Sequence, residues 1–199
     1  MEKAFTYLYD KDKVLKNIID IYNIPTIPSR PKGFVTLCQL ILEQQVSLAS
    51  AKACFEKLQS FLIEITPESI LNASEEQLKS CSVSRQKTIY LKSLSNAILE
   101  GLNVDLLSNK SPEEIRTELI KIKGIGNWTV DVYLMFAIQS QDVFPIGDIA
   151  IFNTIKELYF LNNKEEMLLL SENWKPYRTY ASHLLWHRYL EKRTRKISF

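Results

Sequence analysis

Apolar residues along this chain recur three and four positions apart and nowhere alternate with polar ones long enough for a sheet, so the periodicity predicts helices throughout. Val14, Ile18, Ile19 and Tyr22 share one face of a helix over residues 11–22, with Asp10 as its cap, and the proline-rich NIPTIPSRPKG stretch then breaks the pattern. A second helix is predicted over 34–45. Ser47 caps a third that runs through Leu58, whose Ala49, Ala51 and Ala53 permit close packing. Thr66-Pro67 and Ser74 open two short helices, and a longer one over 85–100 stops at Gly101.

The next start signal is the clearest. Ser111-Pro112-Glu113-Glu114 combines an N-cap serine, a proline at the first helical position and a glutamate three residues after the cap, a capping box worth about 1 kcal/mol at its cap residue. Ile115, Leu119 and Ile122 then face the core, and further helices are predicted over 127–136, 148–158 and 177–191. The chain therefore reads as all-α, without an internal repeat. Two turns interrupt this part. Glycine reaches positive φ cheaply and lets a backbone come close to another molecule, so Gly124 and Gly126 suit a hairpin that presents bare backbone, and amides at a helix N-terminus suit phosphate. Pro145 and Gly147 shape a second loop that delivers one carboxylate, Asp148, to the start of a helix.

Composition adds limits. With 199 residues, 46% of them hydrophobic, the chain can bury a sizeable core as one domain or two intimately packed lobes. A net charge of +2 does not by itself announce nucleic-acid binding. Local clusters say more: Lys121 and Lys123 flank the hairpin, and Arg188, Lys192, Arg193, Arg195 and Lys196 form a basic end that reads equally as a solvated terminus or a DNA contact. Cys38, Cys54 and Cys81 are an odd set in apolar helical patterns, which suits reduced, mostly buried thiols rather than a disulfide framework. His183 and His187 sit one turn apart without an apparent third ligand and read as structural. The N-terminus lacks the apolar core of a signal peptide and no run of about 18 apolar residues occurs, so the expected compartment is the cytoplasm, with no membrane partner.

Three blocks resemble one family. Ile41-Leu42-Glu43-Gln44-Gln45-Val46-Ser47, the stretch LIKIKGIGNWTVDVYLMFAIQSQDVFPIGDIA over 119–150, and Trp174-Lys175-Pro176-Tyr177-Arg178-Thr179-Tyr180-Ala181 running to Trp186 resemble helix-hairpin-helix DNA glycosylases, in family order. Within that superfamily they are similar to the alkylation-repair branch, 3-methyladenine DNA glycosylase II. The resemblance implies a compact two-lobed helical domain over 1–199: one lobe of about 1–31 with 109–199, another of about 32–108, the hairpin at about 112–136 and the active site in the cleft. Some members carry an additional N-terminal β domain, for which about 30 residues before the middle lobe leave no room. Ser82 stands where relatives often have glycine.

The chemistry is arguable from residue types. Glycosidic bonds break through an oxocarbenium-like sugar, usually with two carboxylates. A base alkylated at a ring nitrogen is already cationic and leaves as a neutral molecule, so one carboxylate, Asp148, suffices to stabilise the sugar and direct water. Aromatic faces suit a cationic base. The resemblance places Trp128 and Trp186 in the base pocket with Tyr133 nearby, and Gln45 in the gap left by a flipped nucleotide. It assigns DNA contacts to Gln44, Gln45, Ser47, Lys123, Gly124, Ile125, Gly126 and Thr129. Trp128 replaces the lysine amine by which strand-cutting relatives form a Schiff base, which implies a monofunctional enzyme. A structural Na+ or K+ at the carbonyls of Ile120, Ile122 and Ile125 is also implied; the C-terminal cysteines of an iron-sulfur cluster are missing, and no catalytic metal is expected. The expected partner is duplex DNA with damaged bases, bound by a monomer. Two alternatives stay open: a glycosylase for a deaminated or oxidised base, and a non-catalytic hairpin module that binds DNA phosphates.

Overall fold

A computed structural model describes residues 1–193, and among these the regular structure is helical. In chain order the helices are α1 (Glu2–Lys11), α2 (Lys13–Tyr22), α3 (Phe34–Glu43), α4 (Leu48–Leu62), α5 (Pro67–Asn72), α6 (Glu75–Ser80), α7 (Arg85–Leu99), α8 (Pro112–Leu119), α9 (Asn127–Phe136), α10 (Ile149–Tyr159), α11 (Lys164–Glu172) and α12 (Arg178–Glu191). A 3-10 turn covers Asp105–Asn109. No described helix is long and apolar enough to cross a membrane. The chain divides into two compact units: residues 30–133, and residues 1–29 together with those from 134 on.

The unit formed by the chain ends packs α2, α10 and α1 against α12. Phe5, Leu8, Leu15, Ile18, Ile151, Ile155, Trp174, Leu184 and Leu185 form its core. The first helical stretch differs from expectation. α1 precedes it, and the cap of α2 is Asp12 rather than Asp10; the buried line runs through Leu15 and Ile18 while Val14 is partly exposed. Asp12 does more than cap. Its Oδ1 accepts the N–H groups of Val14 and Leu15 at 2.8 and 3.2 Å, and its Oδ2 accepts the Tyr159 hydroxyl at 2.9 Å and the Trp174 indole N–H at 2.8 Å. One side chain thus starts a helix and satisfies two polar groups of the aromatic core. α11, which the periodicity does not predict, buries only Met167 and Ser171 and presents Leu168 and Leu169 to solvent, so its apolar pattern is blurred.

In the other unit α7 packs against α3, α5 and α6, with α4 against α3. The serine and threonine starts that the sequence predicts are present. Capping boxes form at Thr66 with Ser69, Ser74 with Gln77 and Ser111 with Glu114, and Ser47 caps α4. Ser84 adds a further cap, on α7. Cys38, Cys54 and Cys81 are free and buried. α3 ends at Glu43, two residues before the expected end, because Gln44 leaves the helical region for extended backbone, at φ −61° and ψ 127°, and Gln45 follows in the left-handed region at φ 57°. The hairpin between α8 and α9 belongs to this unit rather than with the chain ends, and the division falls inside α9 after Tyr133. Side-chain bonds explain the grouping. Gln44 donates to the Gly124 carbonyl, and Tyr133 accepts the Gly33 N–H at 3.1 Å.

Asp12→Ala should lower the unfolding free energy by about 2–4 kcal/mol, since a lost cap and two stranded donors each cost about 1 kcal/mol or more. Asp12→Asn, which keeps an acceptor for the cap, should cost clearly less in the same urea titration. Equal losses would show that the cap and the aromatic bonds do not act through one side chain.

Candidate active site

Asp148 lies at the N-cap of α10, where a short loop delivers it: its own N–H donates to the Pro145 carbonyl at 2.9 Å. Its Oδ1 accepts three donors, the backbone N–H groups of Ala150 at 2.9 Å and Ile151 at 3.1 Å and the Trp186 indole N–H at 2.9 Å. The helix dipole favours negative charge at this end. Asp148 is therefore a cap, the ordinary reading of an aspartate in that position. The indole bond from α12 is an addition that capping does not require.

Trp186 is held in turn by a ring cluster. The Phe136 centroid lies 5.7 Å from the Trp186 ring, the His183 imidazole packs edge-on 5.5 Å from it, and Phe136 and His183 are 5.2 Å apart. His183 is only 5% exposed, and its Nε2 has no hydrogen-bond partner among the described residues. Burial pushes its pKa down to about 4, so the imidazole is neutral at ordinary pH. His187, one turn on, bonds through Nε2 to the Tyr22 carbonyl at 2.9 Å. Both histidines thus serve packing, and no group of three His, Cys, Asp or Glu among the described residues could hold a metal ion.

The remaining expected residues lie in the hairpin unit. Gly124 has φ +96°, and a Cβ there would drive into Cβ, Cγ and Cδ1 of Tyr90 on α7. Its glycine is needed within the protein. Gly126 differs. A Cβ at Gly126 would meet open space, and its carbonyl accepts the Val130 N–H at 3.1 Å as the first turn of α9 begins. Lys121 and Lys123 are exposed beside it. Gln44 gives its amide to the Gly124 carbonyl at 2.8 Å and to the Thr129 hydroxyl at 3.0 Å, so it braces the hairpin. Gln45 beside it is exposed and left-handed, a conformation that costs a non-glycine residue energy. Ser47 is exposed and caps α4.

Three residues sit otherwise than expected. Tyr133 is fully buried and its hydroxyl accepts the Gly33 N–H, so within its own unit it is a core residue and not a ring presented to a base. Thr129 and Ile125, at 2% and 3% exposed, cannot offer side chains to DNA; Thr129 serves Gln44, and Ile125 anchors the turn through its N–H to the Ile122 carbonyl at 3.0 Å. Helical periodicity places such residues on a face without saying what covers that face. Trp128 is half-buried. Sequence reasoning missed Tyr90, whose ring shapes the hairpin, and Phe136 and His183, which flank Trp186. It also missed Lys87, which donates to the Leu42 carbonyl at 2.7 Å and so closes the end of α3. Of the basic end, Arg195 and Lys196 lie outside the described residues.

Residues 38–178 match the family model described as HhH-GPD superfamily base excision DNA repair protein. The chain belongs to that superfamily. It is 30% identical to DNA-3-methyladenine glycosylase 1 of Schizosaccharomyces pombe over 200 residues, covering 94% of this chain and 86% of the relative. It is 39% identical to the Bacillus subtilis protein YfjP over 124 residues, 60% of this chain and 43% of that one, so it spans less than half of that relative. Among solved structures, the fission yeast 3-methyladenine DNA glycosylase in complex with abasic DNA superposes with a TM-score of 0.82 at 31% identity, covering 92% of this chain and 95% of that one. A DNA-3-methyladenine glycosidase from Bacillus halodurans gives 0.80 at 27% identity over 94% and 88% of the two chains.

Gly124→Ala should destabilise by more than about 1 kcal/mol, from a forced positive φ and the Tyr90 clash, while Gly126→Ala stays within about 0.5 kcal/mol. Chemical unfolding of the two variants checks this, and equal effects would overturn the distinction. For His183, the depressed pKa means that the unfolded chain takes up a proton the folded one refuses. Stability from its neutral form is fully present above pH 6.5 and is lost as pH falls toward about 4. His183→Phe should flatten the fall across that window by up to about 3 kcal/mol, by the conversion of pKa shift to free energy. Parallel pH–stability curves for wild type and variant would refute a buried neutral imidazole.

Proposed function

We propose that the protein is a monofunctional DNA glycosylase that flips alkylated purines, of the 3-methyladenine and 7-methylguanine type, out of duplex DNA and hydrolyses their N-glycosidic bond. The single observation that carries this is the Asp148 carboxylate fixed by the first turn of α10 and by the Trp186 indole, in a chain of this superfamily. The names of the 3-methyladenine glycosylases that it resembles support the substrate class.

The chemistry follows from charge. A base methylated at N3 or N7 leaves as a neutral molecule without a general acid, so the enzyme has to stabilise the cationic sugar and direct water. A preoriented carboxylate supplies both, and because Oδ1 is held by three donors the orientation costs no reorganisation during the reaction. Trp128 and Trp186 are the rings proposed to receive the base, with cation–π attraction of about 0.5–2 kcal/mol per good contact. Trp186 is committed through its N–H to Asp148, so its part is to couple base binding to carboxylate position. Gln45 is the proposed wedge, and Gln44 holds it through the hairpin.

The turn before α9 is the proposed phosphate anchor, with the open face of Gly126 and the cations of Lys121 and Lys123. Neutral carbonyls of Ile120, Ile122 and Ile125 suit a monovalent cation. The Ile122 carbonyl accepts the Ile125 N–H and retains a second lone pair for an ion, whose part would be to attract a phosphate. An indole at Trp128 offers no nucleophilic amine, so the product is an abasic site in an intact strand.

Asp148→Asn keeps the cap acceptor but removes the charge, so excision of 3- or 7-methylpurines should fall below about one hundredth of wild type while lesion-duplex affinity stays within about tenfold. Wild-type protein should release free base, leave strands uncut until alkali is added, and give no borohydride-trapped complex. Turnover by the asparagine variant near the wild-type rate would remove Asp148 from the chemistry; a trapped complex would remove the monofunctional assignment.

A further inference from the structure

α7 touches both parts of the hairpin unit that the proposed function uses, the segment before Gln45 and the turn at Gly124, through two residues one turn apart. Lys87 is half-buried and donates from Nζ to the Leu42 carbonyl at 2.7 Å, in the last turn of α3. Tyr90 lies three positions on, hence on the same face of the helix, and its ring fills the space that a Cβ at Gly124 would need. Partial burial draws the Lys87 pKa below the usual lysine range, the mark of an amine withdrawn from water.

The carbonyl that Lys87 holds has a particular place. Where Gln44 leaves the helix for extended backbone, the last carbonyls of α3 lose their intrahelical donors, and Lys87 supplies one, three residues before Gln45. Gln44 meanwhile donates to the Gly124 carbonyl at 2.8 Å and to the Thr129 hydroxyl at 3.0 Å. These contacts close a ring: Lys87 joins α7 to the end of α3, Gln44 joins that end to the hairpin, and Gly124 returns to α7 through Tyr90. Gln45 follows directly, exposed and at φ 57°. A helix cap alone does not call for such a ring. Lys92, on the same helix, donates to the Leu71 and Ala73 carbonyls at 3.3 and 2.9 Å and so caps the end of α5 by the same chemistry.

We propose that Lys87 is a positioning residue for base flipping: by fixing the carbonyl end of α3 against α7, it holds Gln45 at a constant reach from the turn proposed to bind phosphate. A wedge stabilises the flipped state only while its side chain fills the gap, and a misplacement of about 1 Å can lower a rate about 100-fold. Lys87 itself touches neither base nor sugar. Its effect passes through Gln45.

The inference rests on the proposed wedge, and the experiment separates the two. Fluorescence of 2-aminopurine beside a 7-methylguanine reports unstacking in the duplex, and excision with enzyme in excess gives a rate apart from affinity. Lys87→Met removes the donor and keeps the length, so it should lower both the fluorescence gain and the excision rate about tenfold, with affinity for undamaged duplex within about twofold. Lys87→Gln, whose donor is one bond shorter, should show a smaller loss of the same kind and serves if the methionine variant folds poorly. Lys87→Arg keeps a charged donor and should recover most of both signals. Lys92→Met, a matched loss at α5, should behave as wild type. Gln45→Ala should lose the same signals, and adding Lys87→Met to it should cost less than about twofold more, since the two act as one unit. Equal effects of Lys87→Met and Lys92→Met would reduce Lys87 to a cap and overturn the proposal, as would losses from Lys87→Met and Gln45→Ala that multiply in full. Normal flipping and excision by Gln45→Ala alone would instead refute the wedge and take the inference with it, leaving Asp148 untouched.

Discussion

One carboxylate oxygen organises the unit formed by the chain ends. Asp148 Oδ1 accepts two amides from the first turn of α10 and the indole N–H of α12, so a loop and two helices converge on a single atom. Each donor alone is worth about 1 kcal/mol of net stability, somewhat more toward a charged acceptor. Their joint effect is geometric. The two amides define the carboxylate relative to α10, and the indole defines it relative to α12. The Phe136 and His183 rings extend that constraint, since Trp186 cannot turn without disturbing them. A neutral imidazole is suited to this place. A charged one would be desolvated between two rings, and burial keeps His183 uncharged.

The hairpin unit shows the same economy. Gly124 sits against Tyr90, and Gln44 bonds both the Gly124 carbonyl and the Thr129 hydroxyl, so the turn and the residue before Gln45 share one network. The two hairpin glycines therefore answer different demands. Gly124 satisfies a demand of the fold, while a side chain at Gly126 would meet nothing within its described surroundings. Gln45, exposed and left-handed, takes a helix-end conformation that glycine adopts more cheaply.

Helix starts are legible in the sequence because a cap is a local event. Ser47, Thr66, Ser74 and Ser111 all act as the pattern predicts, each through a bond spanning three residues. Asp12 escapes such a reading because Asp10 offers the same local chemistry. What selects Asp12 is its second oxygen, which reaches Tyr159 and Trp174 from the far end of the chain. Likewise α11 escapes notice because its surface carries leucines that no periodic rule can assign to solvent.

By itself the sequence determined the helical class, most helix starts, the glycine hairpin and the loop that ends in Asp148, since all of these depend on neighbours a few residues away. The residue types suited to a cationic base and a phosphate were legible for the same reason. Tertiary structure alone decided that Tyr133 is buried and bonded to Gly33, that Thr129 braces Gln44, that Trp186 spends its N–H on Asp148, and that Glu157 gathers Arg188 and Lys192 beside it. Each of these joins residues 31 to 100 positions apart. Periodicity tells which face a side chain shares, but its hydrogen-bond partner is set by what packs on that face, and that is a property of the folded chain.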